Sequence, residues 1–262
     1  MVADITRTDI ASVLALLPGP SRNNILRTLR ALFRYGLDLG FLSEVPIRRN
    51  DFAQVPKTEI EVMPPVKIRT LLEAAWQEEP LLLPLLLVET FGGVRPAEAV
   101  RLIWSDVDLR KGRVTIRASV SKTRSARPIE LAPCAVAWFE AYATAGYQCR
   151  GSLLPFSAQT LRRKLRKVRV LAGYDGNGNR WKEGALRDAF CSYHLGHYQS
   201  VDRLIVEAGH TSLQTTKNHY LGLVTKEQAA EFWNLFPPGG QTKVIQFATG
   251  KKTVIGTALI LP

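Results

Sequence analysis

Residues 91–108, FGGVRPAEAVRLIWSDVD, decide how the rest of this sequence is read. The run before them, residues 81–90, is apolar on every side, the pattern of a helix buried at the centre of a domain. Gly92-Gly93 interrupts that run. Pro96 suits the first position of a new helix, predicted over residues 97–104. Arg95, placed before proline, is biased away from helical dihedrals, so its guanidinium projects from a loop–helix junction. From residue 106 the period changes. Val114, Ile116 and Ala118 alternate, Lys111-Gly112 supplies a turn, and residues 127–131 make a return strand. With residues 107–109 they predict a small three-stranded antiparallel sheet. The fold class is therefore α+β and mostly helical.

Working outward, a helix is predicted over residues 66–77. Pro46, Pro56, Pro64 and Pro65 break the chain before it. Residues 50–63 read as a linker between a partial helical domain at 1–49 and a larger domain at 64–236. In the N-terminal part Asp9 caps a short helix to residue 17, and Ser21 caps a longer one over 22–39, closed by Gly40. Ile25, Leu29, Leu32 and Phe33 form its apolar face; Arg27, Arg30 and Arg34 form a basic stripe on another. Fifty residues bury little core, so this part reads as a fragment of a domain, or as one completed by another surface. Downstream, helices are predicted over 132–145, 160–170, 185–194, 201–208 and 213–220, with a loop at 175–179. Thr225 and Gln228 form a capping box for a last helix to residue 234. The tail, 237–262, holds two short strand-like runs, 244–247 and 253–261.

Composition narrows the function. The 262 residues are 46% hydrophobic and 22% charged, ordinary for a globular protein. The charge is not ordinary: 35 Lys+Arg against 23 Asp+Glu gives +12. Such a balance points first to nucleic acid and second to an anionic surface. The longest internal apolar run, residues 81–88, contains Pro84 and is far shorter than the ~20 residues that cross a bilayer. No secretion signal opens the chain. Cys134, Cys149 and Cys191 are widely spaced and odd in number, fitting neither a disulfide framework nor a zinc ribbon. His194 and His197 lack a nearby carboxylate or thiol pattern and read as ordinary surface or core histidines. A cytoplasmic nucleic-acid protein without metal or cofactor remains, nucleoid-associated when bound to DNA.

The chemistry-bearing residues stand at element ends. They are Arg95, Lys122 at the hairpin tip, Arg187 on a helix, His210 after Gly209, and Tyr220 ten residues later. Metal-free phosphodiester cleavage needs such groups. Arginine forks grip phosphate oxygens and stabilise the pentacoordinate charge; a tyrosine attacks phosphorus to give a covalent intermediate; a lysine protonates the leaving oxygen. Residues 160–170 carry six Lys/Arg and no acid. There Arg162, Arg163, Lys164, Arg166 and Lys167 form a basic amphipathic helix suited to the DNA backbone. Arg22, Asn24, Arg27, Arg30, Arg34 and Arg124 are the other expected DNA contacts.

Spacing and context sharpen this reading, because the sequence resembles the tyrosine recombinase, or phage integrase, family. Residues 91–108 resemble that family's first box, with Arg95 its first arginine. Lys122 matches its hairpin lysine. Leu186-Arg187 followed by Phe190 matches the second box. Ala208-Gly209-His210 through Thr215-Thr216 to Tyr220 matches the third, with Tyr220 as nucleophile. The resemblance covers roughly residues 60–236 as a catalytic domain and 4–44 as the last part of a DNA-grasping domain, whose first helices are not seen here. It implies site-specific recombination of double-stranded DNA through a 3′-phosphotyrosyl link by a homo-oligomer, dimer to tetramer, assembled on DNA. One position departs: the histidine expected three residues before Arg187 is Gly184. A catalytically degenerate DNA-binding relative is thus the main alternative, and a type IB topoisomerase-like relaxing enzyme the second.

Overall fold

The computed structural model describes residues 4–55, 60–176, 179–209, 213, 216, 220–239, 243–249 and 252–258, the last two segments by backbone alone. The chain divides into two compact units, Met1–Glu59 and Ile60–Pro262.

The first unit contains helices α1 (Arg7–Leu14) and α2 (Gly19–Asp38) and a 3₁₀ turn at Arg49–Asp51. Thr6, rather than Asp9, caps α1. The Thr6 hydroxyl accepts from the Asp9 amide at 3.2 Å, and the Asp9 carboxylate accepts from the Thr6 amide at 2.8 Å. α2 begins before Ser21, because Pro20 fits the first turn, where no amide hydrogen is needed. Its buried stripe is Asn23, Leu26 and Phe33, joined by Ile10, Leu14 and Ile47. Ile25 and Leu32, expected inside, are exposed, as are Val13, Leu16 and Phe41. Asn23 is inside because its amide exchanges two hydrogen bonds with the Ala53 backbone, at 2.9 and 2.8 Å. Residue 53, expected in a linker, is therefore tied to this unit.

The second unit holds α3 (Pro65–Glu78), α4 (Leu83–Gly92), α5 (Pro96–Ala99), α6 (Pro133–Thr144), α7 (Ala158–Leu171), α8 (Ala185–Tyr198), α9 (Val201–Ala208) and α10 (Lys226–Trp233), with a small sheet. Strands β1 (Val107–Asp108), β2 (Arg113–Ile116) and β3 (Arg127–Glu130) are antiparallel in that order, with Val114 opposite Val107 and Ile129. α4 is the central element. Leu83, Leu85, Leu86, Leu87, Val88 and Phe91 are all buried, and α3, α6 and α8 pack around it. Each such side chain contributes about 1.5–3 kcal/mol relative to exposure. Two aromatic residues satisfy their polar ends at the edges: the Trp138 indole donates to the Leu235 carbonyl at 2.8 Å and Tyr193 to the Met63 carbonyl at 3.0 Å. Met63, the other end of the expected linker, belongs to this core.

Two helices differ from expectation. α5 stops at Ala99 instead of reaching residue 104. Beyond it the chain pairs with residues 151–153: the Trp104 amide donates to the Gly151 carbonyl at 2.9 Å and the Leu153 amide to the Leu102 carbonyl at 3.0 Å. α8 continues four residues past 194, ending where Gln199 turns left-handed at φ 53°. The helix expected over 213–220 lies largely outside the described residues, as do residues 177 and 178 of the loop expected at 175–179. In the tail β4 (Lys243–Thr249) pairs antiparallel with β5 (Lys252–Ala258).

Gly93 couples this core to the site. It ends α4 at φ +57°, and a Cβ there would lie 2.2 Å from Cδ1 of Phe190 on α8. Gly93→Ala combines left-handed strain of about 1–2 kcal/mol with overpacking of about 1–3 kcal/mol. The expected result is a melting midpoint lowered by about 10 °C at about 2–4 °C per kcal/mol. Calorimetry on the purified variant checks this; a drop under about 2 °C would mean that α8 yields freely.

Candidate active site

The site is organised by the end of α9. The last carbonyls of a helix have no partner within it and carry partial negative charge. Here Gly209, left-handed at φ +63°, turns the chain away. Three guanidinium groups occupy what it leaves. Arg127 donates through Nε to the Glu207 carbonyl at 3.2 Å, Arg187 to the Ala208 carbonyl at 2.7 Å, and Arg95 to the Gly209 carbonyl at 2.6 Å. Arg187 also donates to the Gly93 carbonyl, so one side chain spans the ends of α4 and α9. Burial lowers the Arg187 pKa, with the Arg95 and Arg127 charges working in the same direction.

Beneath these cations lies Glu98, whose side chain is fully buried. It accepts from Arg127 at 2.6 Å, from Arg95 at 3.1 Å and from the Lys122 backbone amide at 3.0 Å. Burial by itself would raise this carboxyl. Hydrogen bonds from Arg127 and the Lys122 amide, with the Arg127 and Arg95 charges, outweigh that and hold it down at about 2. The hairpin loop is thereby pinned at its tip to the same carboxylate that braces Arg95. The Lys122 side chain itself is exposed.

Tyr220 is half-buried against the apolar cluster that Phe190, Cys191 and Leu195 of α8 form with Leu204 and Ala208 of α9. Its hydroxyl donates to Asp188 Oδ1 at 3.0 Å. Burial raises the phenol pKa, and the neighbouring Cys191 and Asp188 raise it further, while Arg187 opposes them. Arg95, Arg187 and the Lys122 backbone thus meet at the α9 terminus or at Glu98, and Tyr220 meets Asp188 on the helix that carries Arg187. His210 lies outside the described residues. Glu98, Arg127 and Asp188 were not anticipated from sequence. The available signals were spacing alone: Glu98 one turn after Arg95, and Asp188 directly after Arg187.

Gly184 caps the N-terminus of α8 in the left-handed region at φ +81°, with nothing within 4 Å of a Cβ built there. It borders a cavity of about 380 Å³ lined also by Glu89, Arg162, Arg169, Trp181 and Glu183. Burial raises the Glu89 carboxyl to about 8 despite the nearby Arg169, and Arg169 lies 4.2 Å above the Trp181 ring. His194 is a core histidine, its Nε2 3.1 Å from Glu207.

The expected DNA contacts divide. Arg27, Arg30, Arg34, Arg124, Arg162, Arg163 and Arg166 are exposed. Lys164 instead pairs with Glu79, and Lys167 with Glu78 at 2.9 Å, because α3 packs its acidic end against α7. Arg22 is only half-exposed, and the Asn24 side-chain Oδ1 accepts from Arg27 at 2.8 Å.

A mostly helical domain with a small three-stranded antiparallel sheet has the layout of a tyrosine recombinase catalytic domain. Residues 61–227 match the sequence pattern of the Phage integrase family, and the chain belongs to that family. It is 29% identical over 106 residues to IntQ of Escherichia coli (strain K12), a match covering 40% of this chain and 26% of that protein. It is 27% identical over 215 residues to the tyrosine recombinase XerD of Pseudomonas aeruginosa, covering 75% of this chain and 69% of that one. Among solved structures, a λ integrase dimer bound to a COC′ core site matches with a TM-score of 0.66 at 19% identity, covering 85% of this chain and 82% of that one.

The Glu98 cluster sets a stability prediction. A carboxyl whose folded pKa lies below its unfolded value of 4.5 stabilises the fold above that value. This contribution is lost as pH falls from 4.5 towards about 2. Glu98→Gln leaves buried cations uncompensated and is expected to cost about 3–5 kcal/mol at pH 7. Denaturant titrations of both proteins should show the gap closing across that acid range. A gap independent of pH would show that charge is not what Glu98 supplies.

Proposed function

We propose that this chain cleaves and rejoins DNA at specific sites through a 3′-phosphotyrosyl intermediate. The observation that carries the reading is the convergence of Arg95, Arg187 and Arg127 on the α9 terminus, with Tyr220 packed against the helix that supplies Arg187. In this reading Arg95 and Arg187 bind the non-bridging phosphate oxygens and stabilise the charge of the pentacoordinate state. His210 adds a hydrogen bond. The Tyr220 oxygen attacks phosphorus, the bond to the 5′ oxygen breaks, and Lys122 gives that oxygen its proton. The phosphotyrosine keeps the energy of the broken bond, so rejoining is the same step reversed. Several protomers act together on paired sites; the similar λ integrase structure is a dimer bound to a COC′ core site. Unit Met1–Glu59 is read as part of a DNA-grasping domain.

A second reading, a relative that occupies DNA without cutting it, is favoured by one feature: Gly184, where a phosphate-donating histidine is expected. Covalent trapping separates the two. On a nicked suicide duplex the wild-type chain is expected to give an adduct that survives denaturing electrophoresis. Tyr220→Phe is expected to give none while binding DNA normally. Arg95→Ala and Arg187→Ala are each expected to slow adduct formation by ~10²–10³. DNA binding without any adduct from wild type would establish the second reading.

Binding is expected to weaken steeply with salt, each neutralised phosphate adding about −0.9 to the log–log slope. Arg163→Ala and Arg166→Ala should each flatten the slope by about 0.9. Lys164→Ala and Lys167→Ala should change it less, since Glu79 and Glu78 already hold those ammonium groups. Fluorescence anisotropy across a salt series measures all four; equal effects would mean that the ion pairs open on DNA.

A further inference from the structure

We infer that Asp188 is the proton acceptor and positioning partner of Tyr220: its carboxylate orients the phenol and takes the hydroxyl proton as the oxygen attacks phosphorus. The inference rests on the recombinase reading above and adds a residue to it. Its basis is geometric. Tyr220 donates to Asp188 Oδ1 at 3.0 Å, within the reach required of a general base. Asp188 lies in the first turn of α8, where the helix dipole favours a carboxylate. It directly follows Arg187, so consecutive residues of one helix serve the two reacting partners. Arg187 holds the phosphate and Asp188 holds the nucleophile.

The need for an acceptor follows from the same packing. An ordinary phenol, with a pKa near 10, is about 0.1% ionised at neutral pH. Tyr220 is held above that ordinary value by its burial. It therefore reacts only if the proton departs as the O–P bond forms. The groups facing it among the described residues are Arg187, Asp188 and Cys191 on α8, while Lys226 of α10 lines the adjoining cleft. The Cys191 thiol is fully buried and pushed up to about 12 by that burial, so it is no base at neutral pH. Gly184 has no side chain to offer. Among the described residues, Asp188 is a carboxylate in direct contact.

Protons balance over the cycle. Cleavage moves the phenol proton to Asp188 and the Lys122 proton to the 5′ oxygen. Rejoining returns the proton from the attacking 5′-hydroxyl to Lys122 and the Asp188 proton to the phenolate. No co-reactant is consumed.

The test is single-turnover adduct formation on the nicked duplex. Asp188→Asn is expected to slow it by ~10²–10⁴ without weakening DNA binding. The residual rate should climb about tenfold per pH unit, because solvent base must then remove the proton, whereas the wild-type profile is flatter. Asp188→Glu should recover part of the loss. A duplex whose scissile 5′ oxygen is replaced by sulfur has a leaving group that needs no proton. It should rescue Lys122→Ala but not Asp188→Asn. Wild-type or faster cleavage by Asp188→Asn, or its rescue by the sulfur duplex, would overturn the inference.

A protein that forms no adduct at all would overturn the functional reading, and the Asp188 inference with it. The contact itself is checked without activity by ¹³Cζ-tyrosine NMR, with the Tyr220 signal assigned by its loss in Tyr220→Phe. Asp188→Asn is expected to shift that signal. An unmoved signal would show that the carboxylate does not hold the phenol.

Discussion

The unsatisfied carbonyls at the end of α9 are the constraint on which the catalytic region depends. A helix end buried in a protein must find donors, and this one is met by guanidinium groups from β3, from α8 and from the junction before α5. Each arginine brings its own element to the same point. Gly209 permits the turn: a Cβ there would sit 2.9 Å from the Arg127 guanidinium. Glu98 completes the arrangement from below, since cations so close together require a shared counter-charge. Arginine suits the role because its rigid fork can satisfy protein carbonyls on one edge and leave donors for a phosphate on another.

Sequence patterning revealed most of the fold because burial and capping act locally. The all-apolar run in α4, the alternation in β2 and the Thr225–Gln228 capping box each state their structure within a few residues. The failures came where distant chain competes with local preference. Residues 100–104 have helical character, yet Leu102 and Trp104 find backbone partners at 151–153, and the helix stops. Ile25 and Leu32 have the right period for a core. Asn23 is buried in their place, because Ala53, thirty residues on, satisfies its amide. No periodicity encodes a partner at that distance.

The candidate site was legible to a similar degree. Arg95, Arg187 and Tyr220 sit beside glycine, proline and helix signals that mark them as terminal residues. Glu98, Arg127 and Asp188 carry no such mark, and their importance lies in which charges they meet across the fold. The basic helix shows the opposite error. Its charges are evident in sequence, but α3 sets Glu78 and Glu79 against Lys164 and Lys167, so a stripe that looks uniform is partly neutralised.

Gly184 shows how position and chemistry separate. Its φ of +81° costs glycine nothing, whereas a side chain there meets left-handed strain despite the open space around it. Glycine is thus well suited to the entry of α8 on backbone grounds alone, whatever group the chemistry requires nearby. One helical turn later the backbone is regular, and a carboxylate is free of that restriction. Tyr220 is anchored to Asp188, so in the mechanism proposed above activation of the nucleophile would depend on the first turn of α8 rather than on its cap. In that mechanism the glycine would count against the phosphate contact and leave intact the step that removes the tyrosine's proton.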